Sequence, residues 1–340
     1  PTVFIGRRGK AGATMALRGP GGAAPPAAGA WVPGRILQAA GFAELINASI
    51  ITGTAQAGGT VSSIKLAVGS SGVDDFYNGM PIQHATIGTA ATIRGTSLIR
   101  NYVASTLIAD LMETVSSAIV AGSYIIPVSL NYILTTGTSI PLLSCSVWRD
   151  GRRYDYRDCA LTSFQIDVPV ANDQGTTLPS IQFAMSGIPV QGTDVATPAL
   201  SSSLLLPIPP AKAGKFAFGG LKIGHQTLSL QFGLTTGAPP NQNFDAGQES
   251  YQLLSGTRQL QLDLNQQLIA TIDLDALVDA QTQIPVLSGW GGTIGNRFML
   301  GIPNNQLEPF NPTTRNGFVG VSGNGNPSDV DKSVSLSIVY

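Results

Sequence analysis

Charge, sulfur and histidine are all scarce in this 340-residue chain: Asp, Glu, Lys and Arg make up 11% of it, beside two cysteines and two histidines. A monomer ordinarily resists aggregation with a charged surface, so this scarcity points to surface buried against identical neighbours. With only His84 and His225, a catalytic triad or a multi-histidine zinc site has few components, and each histidine reads as structural or solvated. Cys145 and Cys159 have no metal-ligand spacing. They flank an Asp-Gly pair and could face one another across a hairpin, but two thiols without an export signal read as reduced core residues. No apolar run is long enough for a membrane span, and Pro1 to Arg8 contain no apolar core of a secretory signal. Neither a membrane anchor nor export is expected, and Asn47-Ala48-Ser49 is then an accidental match to the glycosylation triplet. The cluster Gly289-Trp290-Gly291-Gly292-Thr293-Ile294-Gly295 lacks dinucleotide spacing and no phosphate-loop lysine motif occurs, so no cofactor is expected.

Glycine (40) and proline (22) are abundant, which implies many turns, and the length favours two or three compact units. The net charge of −1 is unevenly spread. Residues 1–43 hold Arg7, Arg8, Lys10, Arg18 and Arg35 with no acid, so five of the 19 basic residues lie there and 14 face 20 acids in the remainder. Such a segment is a nucleic-acid tail, an arm docking on the acidic body of a sister subunit, or a solvated end. With Phe4 and Trp31 its only aromatics besides Phe42, a nucleic-acid platform is the weakest of these. Arg7, Arg8, Lys10 and Arg18 are the candidate subunit-interface residues.

Residues 1–30, rich in Gly, Ala and Pro, read as an extended arm rather than a packed element. Pro33 followed by apolar residues at helical spacing predicts a short helix over 34–45, with Gly41 obscuring its end. Short apolar stretches punctuated by glycine over 54–126 predict strands of a small module. Within it, 103–115 fits one face of a helix by periodicity, while its Val and Thr content suits a strand. The clearest local signal is Asp150-Gly151 between strand-like flanks, a tight hairpin turn. Alternating strands follow at 161–168, 180–187, 227–232, 259–264 and 333–340, with a proline-rich linker over 201–213 and a helix near 275–280.

The carboxylates invite a metal reading, but Asp273 or Asp275 at a helix start is explained by capping. Asp74-Asp75, between Gly72 and Asn78-Gly79, reads as a polar turn. Arg149, Arg152, Arg153 and Arg157 interleave with Asp150, Asp155 and Asp158, which suggests paired charges on a hairpin or a subunit contact. No catalytic or metal-binding residues are assigned, and the chain is not expected to be an enzyme.

The hairpin from Val147 to Tyr154, Cys159, and the strand Ile181-Gln182-Phe183-Ala184-Met185-Ser186-Gly187-Ile188 resemble the core of tail-tube proteins from long-tailed, siphophage-type bacteriophages. The upstream helix and the closing stretch from Gly292 to Pro303 are similar to theirs, and residues 62–127 resemble a small β module of phage virion proteins in which 103–115 is extended. The resemblance implies a mainly β fold: two tail-tube-like β-sandwich or partial-barrel domains, each with a short helix, plus the inserted β module. The corresponding boundaries are an arm 1–30, a first tube domain 31–53 and 127–200, the insertion 54–126, the linker 201–213 and a second tube domain 214–340. It further implies a homo-oligomeric ring, trimer favoured over hexamer, stacked into a tube around genomic DNA and the tape-measure protein. Its place would be the virion tail, after synthesis in the host bacterial cytoplasm. The rival is a β-sandwich binding module of a tail tip or adhesin recognising a host surface.

Overall fold

A computed structural model describes residues 9–85, 95–135, 140–170, 178–190, 192–199, 207–211, 214–240, 242–243, 251–265, 271–315, 318–328 and 332–340. The protein is mainly β, with two short helices among these residues. Strand β1 (Gly9–Ala16) pairs antiparallel with a later strand along its whole length, and Leu17 after it is fully buried. Residues 9–16 are therefore part of the body, which corrects the expectation of an unpacked arm through residue 30. Their Gly and Ala content looks like a tail because the order comes from a distant partner strand, not from local propensity.

Helix α1 (Val32–Ala39) carries Pro33 in its first turn, where no N–H partner is needed, and buries Ile36, Leu37 and Ala39. It is too short to stand alone. Trp31 just ahead of it packs on Tyr132 and Phe298 at centroid distances of 5.4 and 6.3 Å and anchors the helix to the sheet. Gly41, at φ +95°, ends the turn, and Phe42–Asn47 is strand β2, not the second half of a helix. The expected helix over 34–45 is thus corrected to its first half, because Gly41 adopts the left-handed conformation that breaks helices.

The chain next forms a sheet of its own from β3 (Ile51–Thr54), β4 (Gln56–Thr60), β5 (Ser63–Lys65), β6 (Pro81–His84), β7 (Gly95–Val103), β8 (Ile108–Leu111) and β9 (Ser123–Ile126). Their order is β3-β9-β6-β7-β8-β5-β4. Residues 103–115 are extended around a turn, with Leu107 at φ +60°. This module has a separate core around Ile64, Ile82, Ile99, Tyr102 and Tyr124.

Strand β10 (Ser129–Leu134) returns to pair with β2. The rest of the chain runs through β11 (Leu143–Arg149), β12 (Arg152–Pro169), β13 (Ser180–Pro189), β14 (Thr193–Asp194), β15 (Lys215–Phe218), β16 (Leu221–Lys222), β17 (His225–Gly237) and β18 (Tyr251–Asn265). Helix α2 (Leu274–Asp279) precedes β19 (Gln283–Gly291), β20 (Arg297–Leu307), β21 (Asn311–Arg315), β22 (Phe318–Pro327) and β23 (Ser335–Val339). In the stretch expected to be a linker, Ala211 bridges to Val170 and the Pro207 carbonyl accepts from Asn296 Nδ2 at 3.0 Å.

These strands join in one sheet that packs over itself. One layer runs β1-β13-β12-β17-β18-β22-β21; the other contains β2, β10, β23, β20, β19, β15 and β16. Between them lies the main core, where Phe42, Phe164 and Phe232 meet at 5.2–6.3 Å beside Leu230, Leu262, Tyr132, Leu300 and Ile338. Alternation does the sorting: Phe164, Ile166 and Val168 point inward while Gln165 and Asp167 point out. No helix among the described residues is long and apolar enough to cross a membrane.

Candidate functional site

The outward face of the seven-stranded layer is the most distinctive surface of the chain. Register places Thr14 opposite Gln182, Gln182 opposite Gln165, Gln165 opposite Gln231 and Gln231 opposite Gln259, a row of four amides on four strands continued by a hydroxyl on β1. The next row is Ala16, Ser180, Asp167, Ser229, Gln261 and Asn324, and beyond it lie Thr227, Asp263, Ser322 and Asn311. These rows hold two carboxylates and no Lys or Arg. The side chains are tied together: Gln165 Nε2 donates to Asp167 Oδ1 at 2.7 Å and Ser229 Oγ at 3.0 Å, and Gln182 Nε2 donates to Asp167 Oδ2 at 2.7 Å. Sequence shows the alternation along each strand, but not that the polar positions line up between strands. The run ends in β1 on one side and β21 on the other, each paired on one flank only among the described residues.

Of the residues singled out in sequence, Arg7 and Arg8 lie outside the described residues. Lys10 is exposed on β1, on the same face as Thr14, and Arg18 follows the strand, its carbonyl accepting from Trp31 Nε1 at 3.0 Å. Arg149 pairs with Arg152, so Asp150 and Gly151 alone form the turn, at φ +51° and +75°. Both positive angles suit a type I′ hairpin. Arg153 meets Asp155 at 3.0 Å, and Arg149 and Arg157 lie near Asp150 and Asp158 at 3.6 and 4.0 Å. The strand pair thus carries its own counter-charges, each weak because exposed. At its root the Cys145 and Cys159 thiols are both free, and Cys159 Sγ lies 3.9 Å from the Arg157 carbonyl. The neighbouring thiol pulls Cys145 down to about 7 and, with burial, pushes Cys159 up.

Asp273 caps α2, its Oδ1 accepting from the Ala276 N–H at 3.0 Å. Asp74 Oδ1 accepts from Ala104 N–H at 2.7 Å and Asp75 sits at φ +61°, a polar turn. No group of three potential metal ligands occurs among the described residues. His225 stacks on Phe216 at 3.9 Å, and burial lowers it to about 4.

A charge cluster at the foot of the module was invisible in sequence, since its members come from three distant segments. His84 of β6 is fully buried, Glu113 after β8 nearly so, and Lys215 of β15 reaches in from the other sheet. Lys215 Nζ contacts Glu113 Oε2 and donates to the Thr96 carbonyl, while His84 Nε2 lies 3.5 Å from Glu113 Oε1. Burial pushes the Glu113 carboxyl up, but His84 and the Lys215 ammonium more than offset it and hold it below the usual range. Burial lowers Lys215 against the pull of Glu113. The cluster lines the junction between the module and the main sheet.

A scan against protein-family models and a search of curated proteins found no match to this chain.

Proposed function

We propose that this chain is the structural subunit of a phage-type tail tube, three copies forming a ring and rings stacking around a channel for DNA and a tape-measure protein. The observation that carries this reading is the continuous seven-stranded layer with its amide-rich, cation-free rows. Polyanionic DNA is held chiefly by Lys and Arg through counter-ion release, so the rows over which it slides should lack them, and Lys10 lies on that face outside these rows. Uncharged amides and hydroxyls keep such a wall hydrated, and Asp167 adds mild repulsion.

The edges support the same reading. Exposed strand edges are pairing templates, and β1 and β21 at the two ends of one layer fit closure of the sheet from chain to chain. Pairing of β12 with β17 runs the layer through both halves of the chain, so three copies supply what a ring of six smaller subunits would. Negative-stain images of purified protein should show rings or hollow tubes, and an isolated ring should weigh three times 35.2 kDa. Monodisperse monomer at high concentration would overturn the reading, and a ring of six chains would overturn the trimer.

A further inference from the structure

The seven-stranded module is inserted through two neighbouring crossings. Strand β2 ends at Asn47 and β3 begins at Ile51; β9 ends at Ile126 and β10 begins at Ser129. Asn47 Nδ2 donates to the Pro127 carbonyl at 2.7 Å, so entry and exit lie side by side. A unit with its own core, attached at one narrow place, keeps its orientation only through what docks it. That docking is small. Leu98 and Met112 of the module meet Ala217, Leu287, Met299 and Val339 of the main sheet, and the Thr114 N–H donates to the Gly220 carbonyl at 2.8 Å. Ser337 Oγ donates to the Gly79 carbonyl at 2.7 Å, Arg100 to Asn304, and Lys332 lies 3.5 Å from Asp75. Beside these contacts sits the cluster of His84, Glu113 and Lys215.

We propose that His84, Glu113 and Lys215 form a latch that docks the module on the main sheet and opens when Glu113 loses its charge, letting the module turn about the crossings at 48–50 and 127–128. The balance of charges is what makes the cluster a latch. Glu113 is the sole carboxylate lining the cleft around the cluster among the described residues, the Asp75–Lys332 pair docking the module elsewhere; the other charged groups in the cleft, Lys222 of β16 and Arg297 of β20, are cations, as is Lys215. Neutralising Glu113 leaves a part-buried ammonium beside an imidazole, in a cleft whose other charged side chains are cations. An ion stripped of its partner in a buried site is far more costly than a pair removed together. The module's own core shares no residue with the junction cluster, so it stays folded as the junction opens.

Amide hydrogen exchange reads the two events separately. The Thr114 amide donates across the junction to Gly220, whereas the Ile99 amide donates to the Met80 carbonyl within the module. In Glu113→Gln at neutral pH, Thr114 should exchange on the order of a hundredfold faster, with Ile99 still protected. Adding Lys215→Met to Glu113→Gln removes the stranded charge and should restore protection at Thr114. In the wild type, acidification below the ordinary carboxylate range of about 4 should open Thr114, after correction for intrinsic rates, and the double variant should not respond. Wild-type protection of Thr114 in Glu113→Gln overturns the latch, as does simultaneous loss at Thr114 and Ile99, or failure of Lys215→Met to restore docking.

Discussion

Gly34 lies so close to Tyr132 that a Cβ at position 34 would sit 2.0 Å from the tyrosine hydroxyl and 3.0 Å from the Trp31 ring. Both rings are buried, so neither can swing aside. Gly34→Ala should therefore lose about 1–3 kcal/mol, because a clash of this depth outweighs the up to ~1 kcal/mol that alanine gains in helix propensity. Thermal unfolding measures it.

Gly151 poses the opposite case, for nothing lies within 4 Å of its missing Cβ and only the φ of +75° restricts it. Gly151→Val should cost about 1–3 kcal/mol, while Gly151→Asn, which tolerates the left-handed region, should cost well under half as much. Equal melting temperatures for the two variants would contradict the turn geometry.

His225 sets an acid dependence that can be worked out. Its folded value, about 4, lies below the unfolded 6.5, so the unfolded chain binds the proton first. Stability is complete above about 6.5 and declines as pH falls towards 4, by up to about 3 kcal/mol. His225→Leu should flatten denaturation midpoints across that window.

Cys145 should be the reactive thiol. It is half-buried and held near 7, whereas Cys159 is fully buried and shifted upward. Iodoacetamide at mildly alkaline pH should label Cys145 first in native protein, as read by peptide mass spectrometry, because the thiolate is the nucleophile.

The amide row predicts a gain of function from charge. Gln231 and Gln259 are exposed and face each other across β17 and β18, so Gln231→Lys with Gln259→Lys should cost no more than about 1 kcal/mol, the repulsion of two opposed but solvated charges. The same variant should retain double-stranded DNA in a salt-sensitive way that the wild type does not.

What could be read in the sequence was what short-range physics decides. Asp150-Gly151 specifies its turn by itself, and Leu228-Ser229-Leu230-Gln231-Phe232 shows a half-buried strand by alternation alone. Helix α1 was legible at its proline end but not at its glycine end, because Phe42, Leu45 and Ile46 extend the helical spacing although β10 claims them as a strand. Strand β1 was missed for the same reason: Gly12 and Ala13 carry no signal until β13 lies beside them. The amide rows and the His84–Glu113–Lys215 cluster depend on inter-strand register and on the packing of one sheet against another, neither of which any window of sequence contains.

Because Asn47 and Ser129 are partners in one ladder, the chain leaves the main sheet and re-enters it at adjacent points. Excising 51–126 and closing the gap with a short turn would lengthen the β2–β10 hairpin without breaking a strand of the body. Any domain whose ends lie about 5 Å apart, the spacing of neighbouring strands, could be spliced there instead. The body is thus a scaffold with a socket.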